Sequence, residues 1–404
     1  MSVARPCFEK SFTQQEPISE AAIASAVDIM RTGRLHRYNV AADELSEAAL
    51  LERDYAAWQG CRYCVACTSG GYALHVALRA AGLKAGDKVL ANAYTLAPVP
   101  GAIHNAGGVP IFVEIDSEYH IDLADLDAKA AASDARFLML SHMRGHIADM
   151  DAISKLCARR NIILIEDCAH TMGARYDGVR SGLFGKVACF STQTYKHINS
   201  GEGGLITTDD PELAARAIIH SGSYMLYERH GAAPAPEVFE HIKLETPNYS
   251  GRMDNLRAAL IRSGLDELDR QVERWNQRYR LLDEGLRAID GIDLPQRSPR
   301  EQFVGSSIQF RPEALAPADI PTFLSDCAAR GIDLKWFGEA QPKAFTSRYD
   351  SWRYLGDLPA LPMTLSVLEK TVDLRIPLTF TEDDCRFIIE IIADVMVGRL
   401  QGTS

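Results

Sequence analysis

The 404-residue sequence has no run of the roughly eighteen or more uninterrupted apolar residues that a membrane span requires. Its first ten residues, Met1 to Lys10, hold no apolar core of the kind a secretory leader carries, so a cytoplasmic protein is expected. Basic residues are in the minority, 43 against 54 acidic, and the formal charge of −11 argues against a general nucleic-acid binder. Disorder is excluded by 47% apolar and 24% charged residues. Internal repeats, low-complexity tracts and flexible linkers are missing. So is G-x-G-x-x-G, and the run Lys88–Ala93 leads into Asn92-Ala93-Tyr94 without a ribose-binding acid, which removes an ordinary dinucleotide fold. Cysteine is not scarce, but nine thiols without a leader suggest a reducing compartment. Cys61, Cys64 and Cys67 have the spacing of iron–sulfur ligands. On a strand over Tyr63–Cys67 the last two point to opposite faces, so no metal is expected there. His142-x3-His146 suits a helix face, yet Gly145 and a preceding strand put it in a loop.

What is present is an alternation. Apolar runs at Tyr63–Cys67, Lys88–Ala93, Val109–Val113, Phe137–Leu140, Ile162–Ile165, Val187–Ser191 and Gly204–Thr207 are separated by segments of helical period. Strands apolar throughout and alternating with helices predict an α/β fold whose mostly parallel, seven-stranded sheet is covered on both faces. Right-handed crossovers bring the strand-to-helix loops to one edge, where ligands of such sheets bind. Residues 20–33 read as an amphipathic helix outside the sheet. After Met253 the pattern changes to long helices, Asn255–Leu268 and Gln271–Ile289. A smaller α/β unit follows, with strands Ser307–Phe310, Ile332–Phe337 and Val372–Pro377 and helices Pro317–Arg330 and Thr381–Val397. Gly338–Pro362 is aromatic and proline-bearing without a period, hence a loop. The expected division is an N-terminal segment and large domain over 1–265, and linking helices with a small domain over 266–404.

Three constellations fall on the productive sheet edge. Thr68-Ser69-Gly70-Gly71 joins a strand to a helix; Ser69 can cap it, and the glycines let a ligand approach the free N–H groups of the helix start. Ile162–Ile165 ends in Glu166-Asp167, and a carboxylate at the end of a buried strand needs a cation or several donors. Cys189–Gly204 delivers Ser191 and then Lys196 into a loop rich in hydroxyls and glycine. Anion site, acid and lysine are the parts that hold pyridoxal 5′-phosphate (PLP): phosphate anchor, ring-nitrogen partner and amine.

The same residues resemble a family, the DegT/StrS-type sugar aminotransferases, which are fold-type-I PLP enzymes. The likeness runs from about Ile18 to the C-terminus and is densest over 60–260. It rests on Ser69-Gly70-Gly71-Tyr72-Ala73-Leu74, Gly86-Asp87-Lys88-Val89, Asp149-Met150-Asp151-Ala152-Ile153 and Ile165-Glu166-Asp167-Cys168-Ala169. It rests also on Phe190-Ser191 with Lys196 and Gly201–Gly204, and on Arg252-Met253 before Ala258-Ala259. The resemblance implies an aspartate-aminotransferase-like large domain and PLP as cofactor. Lys196 would carry the cofactor and shuttle protons, Asp167 would face the pyridinium nitrogen, and Ser191 with Ser69, Gly70 and Gly71 would hold the phosphate. It further implies a homodimer with shared active sites, in which Asn248, Ser250 and Arg252 reach the neighbour's cofactor.

Departures from the family pattern are equally concrete. Gly71 replaces a threonine, Leu96 stands where an aromatic often covers the ring, and His170 replaces a glutamine. Ser250 occupies the place of the asparagine two residues before the arginine. A neutral imidazole at His170 can still donate to the cofactor's phenolic oxygen and, unlike glutamine, can titrate near neutral pH. The implied activity is transfer of an amino group from an amino-acid donor, glutamate or glutamine, to a small keto acceptor of keto-sugar or cyclitol type. Action on a small keto acid, a lyase or desulfurase reaction, and a non-catalytic PLP-binding regulator remain alternatives. Arg37, Tyr94, Arg144 and Arg375 are the candidate substrate contacts, with neither nucleic acid nor membrane as partner.

Overall fold

The computed structural model describes residues 6–41 and 43–402; Met1–Arg5, part of the segment on which the leader argument rests, lie outside the described residues. All seven predicted runs form strands of one sheet. In spatial order these are Tyr63–Cys67, Gly204–Thr208, Val187–Ser191, Ile163–Asp167, Phe137–Ser141, Lys88–Asn92 and Val109–Val113. Only Gly204–Thr208 runs against its neighbours, pairing antiparallel with Tyr63–Cys67 and Val187–Ser191. The C-terminal ends of the other six therefore share one edge. Helices Gly70–Ala80 and Pro211–Ser221 lie on one face, and Glu47–Gln59 with Asn255–Leu265 on the other. Two-sided burial explains why the strands read as continuous apolar runs. Cys64 and Cys67 enter the two different apolar clusters.

The smaller sheet has the order Ser307–Phe310, Val372–Arg375, Leu334–Trp336, all antiparallel. Helices Leu268–Arg287, Ile320–Ala328 and Glu382–Gly402 cover it. The N-terminal segment packs there as well: Phe8 and Phe12 meet Phe380 edge-on at 5.1 and 5.0 Å. Helix Glu20–Thr32 matches the expected amphipathic segment, burying only Ala22 and Ala26. Segment 338–361 is irregular, as its lack of period predicts, with two short 3-10 turns at Tyr349–Ser351 and Arg353–Leu355. It folds back over the edge of the large sheet, with Tyr349 and Trp352 buried against Phe112. Among the described residues, no helix is long and apolar enough to cross a membrane.

Candidate active site

At the sheet edge, strand ends converge on a pocket lined by Gly70, Gly71, Leu96, Ser141, Met143, Asp167, His170, Ser191 and Lys196. Helix Gly70–Ala80 starts two residues earlier than Tyr72, and Ser69 caps it by accepting from the Tyr72 N–H at 3.2 Å. The first N–H groups of this helix face the pocket with the positive end of its dipole. Ser191 stands so close that a Cβ on Gly70 would lie 2.7 Å from its Cβ. A Cβ on Gly71 would meet only Pro98, at 3.4 Å. Gly70→Ala should therefore weaken cofactor binding sharply. Gly71→Thr should fold normally and, by adding one hydroxyl to a dianion, tighten binding by roughly tenfold. Fluorescence titration of the stripped protein with PLP checks both.

Strand alternation separates the paired acids. Glu166 points away from the pocket and is fully buried, accepting from the N–H groups of Gly182, Phe184 and Gly185 at 3.0, 2.9 and 2.7 Å. His142 Nε2 sits 3.0 Å from the same carboxylate. Asp167 faces the pocket, where Ser141 Oγ donates to its Oδ2 at 2.8 Å and the Ala169 N–H to its Oδ1 at 3.2 Å. Ser141 ends its strand one position beyond the apolar run, and sequence reasoning missed it; its place beside Asp167 in the parallel register is the signal.

Lys196 Nζ lies 2.7 Å from His170 Nε2. Burial, with the positive charges of Arg144 and Arg375, lowers its amine to about 7, against the pull of Asp167. A substantial fraction is thus the neutral, nucleophilic form at neutral pH. His170 does not titrate near neutrality, contrary to what its residue type suggests. Burial and the charge of Lys196 push it well below 6.5, so it stays neutral. Cofactor loading into the stripped protein should rise with pH through about 7, where the amine loses its proton, and level off above. His170→Gln retains an acceptor and should leave the midpoint within about half a unit, whereas Arg375→Gln removes a cation and should raise it. Stopped-flow absorbance against pH gives the midpoint.

The pocket opens into a wider cleft of about 580 Å³ lined by Arg144, Gln193, Tyr195, Ser347, Trp352 and Arg375, among others. Phe345, Thr346 and Ser347 come from the irregular 338–361 segment. Its length without secondary structure is the available sign of a binding role. Leu96, Gly70, Gly71, Ser191 and His170 are shared between pocket and cleft.

Two expected substrate contacts are corrected. Arg37 is 1% exposed and donates from both terminal nitrogens to Glu52, at 2.7 and 2.8 Å, with His230 alongside. Burial opposes ionisation of Glu52, but Arg37 and His230 hold it down at about 2. Arg31 and Arg34, its neighbours along the chain, pair instead at the surface with Asp28 and Glu44. Arg37→Ala would strand a buried carboxylate, costing roughly 3–5 kcal/mol in denaturant unfolding while leaving kcat/KM of the folded protein within about twofold. Tyr94 is likewise 1% exposed, enclosed by Tyr119 and Phe337 at 5.3 and 5.0 Å, and lines neither pocket nor cleft. It leaves its strand toward the interior.

Asn248, Ser250 and Arg252 line neither the pocket nor the cleft. Their segment packs behind the glycine turn: the Thr68 N–H donates to Gly251 O at 2.9 Å, and Arg252 Nη1 donates to Gly222 O at 2.7 Å. Asn248 and Ser250 are exposed.

Residues 19–393 match the model of the DegT/DnrJ/EryC1/StrS aminotransferase family. The chain belongs to this family. A pleiotropic regulatory protein of Geobacillus stearothermophilus is 33% identical over 242 residues, covering 58% of this chain and 61% of that protein. The chain thus matches about three-fifths of the length of that relative. A dTDP-3-amino-3,4,6-trideoxy-alpha-D-glucose transaminase of Streptomyces venezuelae is 31% identical over 343 residues, 80% of this chain and 84% of that one. The crystal structure of DesV from S. venezuelae superposes with a TM-score of 0.78 at 28% identity, covering 93% of this chain and 94% of that one. The DegT-family cofactor is PLP. The pocket fits it: a glycine cradle closed by Ser191, a buried carboxylate with its second oxygen only lightly engaged, and a lysine amine face one another.

Proposed function

We propose that this DegT-family protein is a PLP-dependent aminotransferase that moves an amino group from glutamate or glutamine to a keto-sugar or cyclitol-type ketone. The observation that carries the reading is a lysine amine near neutral pKa in a pocket floored by Asp167 and continuous with a substrate-sized polar cleft. Bound PLP supplies the electron sink on which the substrate's Cα–H bond is weakened. Lys196 Nζ, balanced between its two protonation states, would take the proton from the donor's Cα and hold it within the pocket for the next transfer. Asp167, fixed by Ser141, holds a negative charge against the ring nitrogen. The glycine turn and Ser191 would hold the phosphate, Leu96 would supply an apolar contact to the ring, and His170 keeps a neutral imidazole beside the lysine. Amino donor and ketone enter the same cleft in turn.

A regulatory reading is favoured by one observation, the name of the Geobacillus relative, a pleiotropic regulatory protein. It predicts bound cofactor without conversion by any amino acid. A desulfurase needs a thiol at the reacting atoms, and no cysteine lines the pocket or the cleft. We further infer a homodimer in which Asn248, Ser250 and Arg252 approach the partner's phosphate, since they lie behind the turn rather than in their own site, the first two exposed. The buried thiols of Cys64, Cys67, Cys157, Cys168, Cys189, Cys327 and Cys385 fit a cytoplasmic setting. Mixing the loaded protein with glutamate and then with keto-sugars tests the reading: release of 2-oxoglutarate and amination of the ketone are expected, and bound cofactor inert to every donor would refute it.

A further inference from the structure

Positive charge in the cleft exceeds what the protein balances. Arg375, on the central strand of the small sheet, lies over the Tyr195 ring with its guanidinium carbon 3.9 Å from the centroid. Among the described residues it forms no ion pair. Arg144 is 8% exposed and has one ion pair, to Asp373 Oδ2 at 3.0 Å, while its Nε and Nη2 make no hydrogen bond. Asp373 is fully buried and its other oxygen already accepts from Gln309 Nε2 at 2.7 Å. Lys335 is registered against Asp373 on the neighbouring strand, and the Asp373 charge acts on Lys335 and Arg375 as well, though its ion pair is with Arg144. Glu202, the other acid of the cleft, is solvent-exposed and pairs with none of them.

The backbone bears a cost for this arrangement. Arg144 has φ of +54° immediately before Gly145 at +82°. A left-handed residue with a side chain is strained, and such strain is concentrated at ligand clamps. Burial and the repulsion of Arg144 both lower Arg375, the direction expected for a desolvated cation without a counter-charge.

Donor and acceptor occupy one cleft in alternation. The carboxylate of an amino-acid donor answers Arg375 in one half-reaction; a neutral ketone would leave the same guanidinium desolvated and unpaired in the other. Resting on the aminotransferase reading above, we propose that the acceptor is itself an acid. It is a sugar- or ring-derived ketone with a carboxylate close to the reacting carbon, bound by Arg375 with Arg144 behind it.

The test uses the loaded enzyme. After conversion by glutamate and removal of the donor, it is offered three acceptors: a neutral inosose, a keto-sugar acid and a keto-sugar phosphate. The keto-sugar acid should be preferred over the inosose by about 100-fold in kcat/KM, which one bidentate guanidinium–carboxylate contact supplies. Arg375→Gln should erase that preference chiefly through KM, and Arg375→Lys, which keeps charge without the planar fork, should retain part of it. Independently of turnover, D-gluconate should perturb the absorbance of the bound cofactor in the wild type but not in Arg375→Gln, and neutral sorbitol should do so in neither. Equal or better use of the inosose, preference for the phosphate, or an Arg375→Gln effect confined to the KM for glutamate would overturn the proposal. Failure of every amino-acid donor, glutamine included, to convert the cofactor would instead refute the aminotransferase reading, and the gluconate titration would still decide whether the anion site exists.

Discussion

Lys196→Ala is expected to lose the cofactor's visible absorbance and roughly 10⁴-fold or more in turnover, while the protein remains folded. The argument is positional. Lys196 is the amine in the pocket, 2.7 Å from His170, and burial, with the nearby guanidiniums, lowers it to about 7, making it both nucleophilic and able to exchange protons at neutral pH. No second amine can take the role, since among the described residues Lys196 is the only lysine lining the pocket or the cleft. Truncation also removes a charge from beside two guanidiniums, so thermal unfolding should occur no earlier than in the wild type. Turnover at a normal rate would move the chemistry elsewhere.

The second large effect is at Asp167. An asparagine side chain in its place can still accept from Ser141, so Asp167→Asn should preserve shape and cofactor content. It removes the negative charge that stabilises a proton on the ring nitrogen, and the half-reaction with glutamate should slow by roughly 10²–10³-fold. Glu166 provides the internal control. Its carboxylate faces the other side of the sheet and satisfies three backbone N–H groups, so Glu166→Gln should lower stability and leave the rate of the folded protein nearly unchanged. Rapid-mixing absorbance measurements on the two variants separate the roles. Reversal of the two phenotypes would exchange the assignments.

The sheet is readable in the sequence because two-sided burial makes each of its strands an uninterrupted apolar run, a signal stronger than propensity. Its chemistry is readable for a related reason: parallel strands place Ser69, Asp167 and Ser191 at one edge whatever the details of packing, and Lys196 follows from the strand that ends in Ser191. Arg37 misleads because position along the chain does not report burial; Glu52, fifteen residues away, and His230, from a distant loop, draw it inward. Tyr94 misleads because one residue past a strand end decides whether a ring enters the cleft or the core. The titration of His170 cannot be foreseen without knowing that Lys196 stands against it. Phe345, Ser347 and Trp352 carry no local pattern, and only the folding of an irregular segment over the sheet edge gives them a place at the site.

Rapid mixing of the purified, PLP-loaded protein with glutamate, followed by absorbance, decides whether the pocket performs transamination. The visible band of the lysine-bound cofactor should decay as the band of its amine form rises, with 2-oxoglutarate appearing in equal amount. A spectrum that stays unchanged with glutamate, glutamine and every other amino acid tried, in a protein that retains its cofactor, would contradict the account.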